Sequence, residues 1–239
     1  MMGNTVEIRK DLLVVTGNVY AQAVLKSVLE NLKSTSKISI KFDVERYPIS
    51  GFRFFKDIIY YFMLRESEYS HFIVVYDIKD VKYRSKLDEC AESLNNKLKP
   101  PILRSAAHVV PIDPEIEAWL WCDRGGLTYA FADCHDHSNL SEEQINKSIK
   151  GIIEMTNNYN IVMTNPKYVL EELYRLSKGR DASEGRLGLL PDDYSRVISK
   201  SDLNKWYECD TSYRCFFNQL KSWFSPRDQT SRGHTRVVR

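Results

Sequence analysis

Short apolar runs and amphipathic helical patterns alternate through the first half of the chain, and this alternation constrains the fold more than any other feature. The strand-like runs cover residues 11–16, 37–47, 71–77 and 106–112, and the helical patterns cover residues 19–33, 52–67 and 83–98. Strand and helix in this order are typical of crossover units around a parallel sheet. The third run is apolar on both faces, which indicates a central strand. The sequence thus predicts an α/β protein with a mainly parallel central sheet and helices on both faces.

The pattern changes after residue 112. Pro114 suits the first turn of a short helix over residues 113–123, with Asp113 as its cap. Two further helices are predicted at residues 165–178 and 211–224, whereas glycine and polar residues favour loops at 124–144 and 179–193. We therefore divide the chain into a core (1–124), a mostly helical C-terminal extension packed on it (125–224) and a basic tail (225–239) that we expect to be disordered.

Composition narrows the class of protein. Of the 239 residues, 43% are hydrophobic, which is enough for a sizeable core. No apolar run approaches the roughly 20 residues of a membrane span, and the N-terminal residues lack a signal-peptide pattern. The five cysteines are odd in number and lack paired spacing, as expected for reduced thiols. We expect a soluble, cytoplasmic protein with no membrane partner. Its net charge of +2 neither indicates nor excludes nucleic acid, because a local patch can be basic.

Polar residues follow the predicted strands at the edge where parallel strands end. Thr16 and Gly17 follow the first strand, and Asp77, Lys79 and Asp80 follow the third. Sites in open α/β sheets form at this edge, and carboxylates there hold Mg²⁺ or Mn²⁺ for phosphodiester chemistry. Two interpretations stay open for the third strand end: a metal site, or a capping aspartate followed by a solvated turn.

A pair of glutamates follows the fourth strand. Glu115 and Glu117 are two residues apart, so on a helix they point in nearly opposite directions and do not both bind one metal. We expect one of them at the surface or beside the helix N-terminus. Glu117 stands within an apolar run, where a buried carboxylate needs a partner, and it is therefore the better functional candidate.

Two other groups of residues favour structural interpretations. The run DCHDH (133–137) lacks the second pair of ligands that zinc sites usually show, so we interpret it as a polar loop. Aromatic residues near the C-terminus have helical spacing and are expected to face the core, with a partner surface as the alternative. They are Trp206, Tyr213, Phe216, Phe217 and Trp223.

Four parts of the chain together resemble the Toprim-type fold, which is Rossmann-like, and within it the prokaryotic family labelled DUF4276. They are LVVTGNVYAQAVLKSVL, FIVVYDIKD, VVPIDPEIEAWLWCD, and NPKYVLEELYRL with the later SYRCFFNQLKSWF. They are similar, in order, to the family's first strand with its Glu-Gly turn, its Asp-x-Asp strand, its Ile-Glu-Ala-Trp-Leu segment, and its Asp-Pro-Lys and closing helices. The resemblance spans most of residues 11–224.

Carried over residue by residue, the resemblance implies an acidic site that is partly lost. Thr16, before Gly17, stands where Toprim enzymes have a glutamate, and a hydroxyl does not replace a carboxylate as a proton shuttle. Asp77 matches the first residue of Asp-x-Asp, but Lys79 occupies the second position. We expect the Lys79 ammonium to take the place of a metal ion and to hold Asp77 by charge.

The remaining acidic positions are retained. Glu117 matches the family's glutamate before Ala-Trp, and Asp123 matches its trailing aspartate. The resemblance implies a component of a prokaryotic antiviral defence or mobile-element system, encoded beside an ATPase of the ABC or AAA type. We expect a catalytically degenerate scaffold or nucleic-acid-binding subunit without a cofactor. The alternative is an active Mg²⁺- or Mn²⁺-dependent nuclease of DNA or RNA, with Asp77, Asp80 and Glu117 as catalytic and metal-binding residues and Lys79 on the scissile phosphate.

Overall fold

A computed structural model describes residues 9–47, 54–80, 92, 96, 106–133, 141–177 and 189–225. Within these residues, four strands form one parallel sheet in the order β2-β1-β3-β4. The strands are β1 (Lys10–Thr16), β2 (Phe42–Arg46), β3 (Tyr69–Asp77) and β4 (Ala106–Ile112). The prediction of an α/β protein with a parallel central sheet flanked by helices is confirmed.

Ten helices are described, and a short 3₁₀ turn, Ile78–Asp80, follows β3. The helices are α1 (Val19–Ser34), α2 (Phe54–Arg65), α3 (Glu117–Leu120), α4 (Arg124–Asp133), α5 (Glu142–Thr156), α6 (Ile161–Thr164), α7 (Pro166–Ser177), α8 (Pro191–Lys200), α9 (Leu203–Cys209) and α10 (Thr211–Phe224). Within the described part of the chain, none of the helices has both the length and the hydropathy needed to cross a membrane.

The two faces of the sheet bury separate apolar clusters, because successive side chains of a strand point to opposite faces. On one face, Leu13, Val15 and Val74 pack with Ile58 and Phe62 of α2. The other face carries the larger cluster, in which strand residues such as Leu12 and Val14 pack with α1 and with helices of the C-terminal half. The C-terminal helices therefore share one core with the sheet.

Register brings the strand ends together at one edge of the sheet. Thr16 of β1 lies opposite Val75 of β3, and Asp77 of β3 lies opposite Ile112 of β4. The loops that follow β1, β3 and β4 thus leave the sheet on the same side. This edge is the place where the sequence predicts the site.

Several predicted elements differ from the structure. The strand predicted over residues 37–47 is confined to β2, because the chain before Phe42 first bonds to the last turn of α1, where the Ile38 N–H donates to the Leu32 carbonyl. The helix predicted over 113–123 begins at Glu117, since the backbone before it bonds to the 3₁₀ turn after β3 instead: the Lys79 N–H donates to the Pro114 carbonyl at 3.0 Å.

The loop predicted over residues 124–144 contains α4 and the start of α5. Gly125 and Gly126 suggested a loop, but Gly126 is needed inside a helix: a Cβ there would lie 2.9 Å from Cα of Ser201. Similarly, α8 begins at Pro191, within the loop predicted over residues 179–193.

Other predictions are confirmed or lie outside the described residues. The inward packing of the C-terminal aromatics holds for Trp206, Tyr213 and Phe216, which are buried, while Phe217 and Trp223 are partly buried. The helix predicted over residues 83–98 is described only at two exposed helical residues, 92 and 96. The possible zinc run beyond residue 133 and the basic tail beyond residue 225 lie outside the described part of the chain.

Candidate functional site

Asp77 is the last residue of β3, and its side chain connects this strand to the segments that lead into α1 and α3. Its side chain is buried, with Oδ1 accepting a hydrogen bond from the Ile116 N–H at 2.8 Å and Oδ2 accepting one from Asn18 Nδ2 at 3.1 Å. Asn18 also caps α1, because its Oδ1 accepts from the Ala21 N–H. The Asp77 carboxylate therefore connects the start of α1 to the segment that leads into α3.

Lys79 pairs with Glu115, whereas the sequence predicted Asp77 as its partner. Lys79 Nζ lies 3.2 Å from Glu115 Oε2 and donates to Asn165 Oδ1 at 3.0 Å. The lysine side chain is 48% exposed and that of Glu115 is 7% exposed. The carboxylate also accepts a hydrogen bond from the Lys167 N–H, at 3.1 Å from Oε1. Glu115, which we expected to be the less important glutamate, is thus buried and has both an ammonium and a backbone donor.

Glu117 is buried, and its partner is a tyrosine. Only 2% of the residue is exposed, and Oε1 accepts a hydrogen bond from the Tyr194 hydroxyl at 2.9 Å. Burial raises the pKa of the Glu117 carboxyl, and the negative charge of Glu115 raises it further. Of the two alternatives for this pair, the surface position does not apply, because both side chains are buried. Glu115 lies just before the first turn of α3, beside the helix N-terminus.

Thr16 and Gly17 form the turn between β1 and the cap of α1. Thr16 is 1% exposed, and its carbonyl accepts a hydrogen bond from the Tyr47 N–H at 2.8 Å. This places a short neutral residue, rather than an acid, at the end of a central strand. Asp80 contributes its backbone to the turn after β3, and its side chain lies outside the described atoms.

Asp123 is hydrogen-bonded to another part of the chain, at the start of α9. Its Oδ2 accepts from the Asp202 N–H and its Oδ1 from Lys205 Nζ, each at 2.8 Å. Burial opposes ionisation of this carboxyl, but the hydrogen bonds from Asp202, Lys205 and the Gly126 N–H outweigh burial and lower its pKa. Asp123 therefore fastens the start of α4 to the start of α9.

Residues from the C-terminal half complete the site. Asn165 and Lys167, at the start of α7, supply donors or acceptors to the Lys79–Glu115 pair. Lys167 also places its ammonium 4.2 Å from the centroid of the Tyr20 ring, and that ring packs against Tyr194 at a centroid distance of 5.4 Å. The Asn-Pro-Lys run was the only sequence signal for this contribution, through its resemblance to a family segment.

The side-chain oxygens present at this edge do not fit a Mg²⁺ or Mn²⁺ ion. A hard divalent cation needs several oxygen ligands with free lone pairs. Both oxygens of Asp77 already accept hydrogen bonds, and Glu115 is paired with an ammonium. Glu117 has a raised pKa, which favours its neutral form. A divalent ion would have to displace these donors and approach the charge of Lys79.

Chemically, the edge is a set of buried acids held by donors of the chain itself, with the Lys79 ammonium reaching solvent. Such an arrangement stabilises the junction of the sheet with the C-terminal helices. Comparisons with known proteins found no family model, no curated protein and no solved structure that matches this chain.

Proposed function

We propose that this chain is a Toprim-like subunit of a prokaryotic defence or mobile-element system that has lost catalysis and acts as a scaffold or nucleic-acid-binding partner of an ATPase. The proposal rests on the resemblance of the sequence segments and is supported by the parallel sheet, whose C-terminal edge collects Thr16, Asp77 and the two glutamates after β4. The buried acids of this edge serve to fasten the fold.

One observation carries the proposal that catalysis is lost. The Lys79 ammonium lies at the second position of the Asp-x-Asp pattern and forms an ion pair with Glu115 at 3.2 Å. A positive charge held at the strand end repels a divalent cation, and it neutralises one of the carboxylates that a metal would need. Thr16 removes the acid expected after β1.

The alternative, an active nuclease that uses Asp77, Asp80 and Glu117, has less support. Each oxygen of Asp77 accepts a hydrogen bond from a donor of the chain, and because the pKa of Glu117 is raised, a metal would have to displace a proton that is held more tightly than usual. This function requires the 3₁₀ turn to rearrange so that Asp80 reaches the site.

The experiment is Mn²⁺ titration calorimetry on the wild type and on three variants. We expect no saturable binding at millimolar Mn²⁺ for the wild type, and binding once the acids are restored in Thr16→Glu/Lys79→Asp. Lys79→Asp alone tests the lysine without a change at the buried threonine. Lys10→Asp is the control. It makes the same charge change at the start of β1, the end of that strand opposite to Thr16, and should leave the protein unable to bind Mn²⁺. Circular dichroism checks the fold of each variant.

Cleavage of labelled DNA and RNA in the same buffers tests the alternative. Divalent-dependent cutting by the wild type that disappears in Asp77→Asn would overturn the loss of catalysis. The partner is tested separately, by co-purification with an ATPase encoded beside the gene and by a shift in the mobility of short single- and double-stranded nucleic acids. Failure of both binding tests would leave no support for the scaffold function.

A further inference from the structure

Two aromatic rings on α9 and α10 have three cations around them. Tyr207 and Phe217 are partly buried, and their ring centroids lie 5.6 Å apart in an edge-to-face arrangement. The Arg214 guanidinium lies 5.6 Å from the Tyr207 centroid. The ammonium groups of Lys37 and Lys221 lie 5.8 and 5.7 Å from the Phe217 centroid. Cations attract aromatic rings at these distances, so these five residues form one patch, which we call the ring surface.

The ring surface lies at the end of the sheet opposite to the candidate site. α1 begins at the edge where β1 ends, and Lys37 follows its last turn, where the Lys37 N–H donates to the Leu32 carbonyl at 3.0 Å. At the same end, Trp223 of α10 packs on His71 near the start of β3, with ring centroids 4.7 Å apart. The ring surface therefore shares no residue with the buried acids around Asp77.

The cations of the ring surface have no carboxylate partner. Among the residues that the structure describes, Lys37, Arg214 and Lys221 form no ion pair. Lys37 Nζ donates to the neutral Asn204 Oδ1 at 2.8 Å, and Arg214 donates to two backbone carbonyls near the end of α9. α10 carries two of the cations and contains no acidic residue. The ring surface therefore offers positive charge to an anionic ligand.

The chain that continues from α10 has the same sign of charge. Residues 226–239 contain four arginines and one acidic residue, and they follow Ser225, one residue after the end of the helix. Connectivity alone therefore adds positive charge beside Lys221. A ligand with many negative charges gains from both, because each phosphate that a cation neutralises releases a counterion.

The combination of cations and rings selects the class of ligand. Single-stranded nucleic acid presents phosphates along its backbone and bases that are free to stack on aromatic side chains. In a duplex the bases already stack on each other, so side-chain rings cannot reach their faces. An acidic peptide matches the cations but has no bases to stack on the rings.

We propose that the ring surface binds single-stranded nucleic acid. The phosphates contact the three cations, and the bases stack on the two rings. This inference rests on the nucleic-acid-binding part of the proposed function and names the surface that performs it. It requires neither a metal ion nor cleavage of the strand.

The experiment is fluorescence anisotropy of labelled oligothymidylate and oligouridylate with the purified full chain, over a series of salt concentrations. We expect Lys37→Gln/Lys221→Gln to raise Kd at least about tenfold at low salt. The slope of log Kd against log salt should become shallower by about 0.7 for each cation removed. Lys147→Gln/Lys150→Gln is the matched control. It makes the same change in net charge at two exposed lysines of α5 and should leave both quantities close to those of the wild type.

Tyr207→Leu tests the stacking of bases. Leucine keeps an apolar side chain against the core, and Arg214 keeps its bonds because they go to backbone carbonyls. We expect Kd to rise about tenfold with an unchanged salt slope, since a stacked base contributes about that much to binding. Circular dichroism checks the fold of each variant. If Tyr207→Leu fails to fold, the two pairs of lysine variants still decide the question.

Failure of this inference is distinguishable from failure of the proposed function. If the wild type binds single strands and the two pairs of lysine variants bind equally well, the nucleic acid lies elsewhere and only this inference is overturned. If the wild type binds no single strand, this inference and the nucleic-acid-binding part of the proposed function are both wrong.

Two further outcomes would overturn single-stranded nucleic acid as the ligand. The first is tighter binding of a labelled duplex than of either single strand. The second is binding of labelled polyglutamate as tight as that of the oligonucleotides and weakened by Lys37→Gln/Lys221→Gln, which would indicate an acidic protein as the partner.

Discussion

Two charged clusters of this protein contain the same kinds of residue but place their acids differently. The edge cluster, at the C-terminal edge of the sheet, consists of Asp77, Lys79, Glu115 and Glu117. The strand cluster, beside β2, consists of Lys10, Asp43, Glu45 and Arg65. The two lysines are equally exposed, at 48% of the side chain, but their partners are not: Glu115 is 7% and Asp43 is 31% exposed.

The two clusters differ in how far solvent reaches their acids. In the strand cluster, Lys10 and Asp43 meet where water can replace either partner, so this pair contributes little. In the edge cluster, water cannot replace a lost donor, and an uncompensated buried charge is costly. Burial of the acid, rather than the number of ion pairs, is therefore expected to decide what each cluster contributes to stability.

The largest effect is expected for Asp77→Ala. The substitution leaves the buried Ile116 N–H without its acceptor and removes the bond from Asn18. We expect the free energy of unfolding to fall by about 3 kcal/mol, measured by urea denaturation. Asp77→Asn keeps one carbonyl oxygen and should lose about half as much. Equal midpoints for wild type and Asp77→Ala would show that these hydrogen bonds do not stabilise the fold.

The second prediction compares the two lysines directly. Lys79→Met removes the ammonium that pairs with the buried Glu115 carboxylate and leaves that carboxylate its backbone donor, the Lys167 N–H. We expect the free energy of unfolding to fall by about 2 kcal/mol. Lys10→Met, matched in exposure and in chemistry, should cost about 0.5 kcal/mol because solvent screens Asp43. Urea midpoints measured side by side give the difference. A larger loss for Lys10→Met would contradict the role assigned to burial.

The third prediction concerns pH. The folded state holds the proton of Glu117 more tightly than the unfolded state does, because its pKa is raised from the ordinary value of 4.5. Above pH 4.5 the unfolded state releases this proton first, so stability declines as pH rises, by up to about 1.4 kcal/mol per pH unit until the folded pKa is reached. Glu117→Gln, which can still accept from Tyr194, should lack this decline.

Urea titrations of both proteins from pH 5 to pH 8 measure this effect. We expect Glu117→Gln to gain stability relative to the wild type as the pH rises. If the two proteins change in parallel instead, the pKa of Glu117 is not raised and its carboxyl is ionised in the folded protein, and the site would be more favourable to a cation than proposed.

The smallest effect is expected for a charge beside the strand cluster. Glu68 pairs with Arg65 Nε at 2.9 Å, and its side chain is 48% exposed. Glu68→Gln should change the free energy of unfolding by about 0.3 kcal/mol, a value that thermal melts in low and high salt can bound. A loss above 1 kcal/mol would show that exposed pairs also matter here.

Elements with a clear apolar period were predicted well. β4 (Ala106–Ile112) and α10 (Thr211–Phe224) match the predicted bounds, since their patterns of burial are local properties of the chain. α4 was missed because the glycine pair favours a loop until the approach of Ser201 is known. The position of the acids at the strand ends could also be predicted. Their partners could not, because Lys79 meets Asn165 and Glu117 meets Tyr194 across large sequence separations.

The sequence by itself determined the parallel α/β architecture and which residues end the central strands, because alternation and apolar periodicity depend on neighbours along the chain. Only the tertiary structure decided that Lys79 pairs with Glu115 and that both glutamates are buried. The physical reason is that the energy of a charge depends on burial and on partners brought together by packing, and these are set by contacts between distant segments.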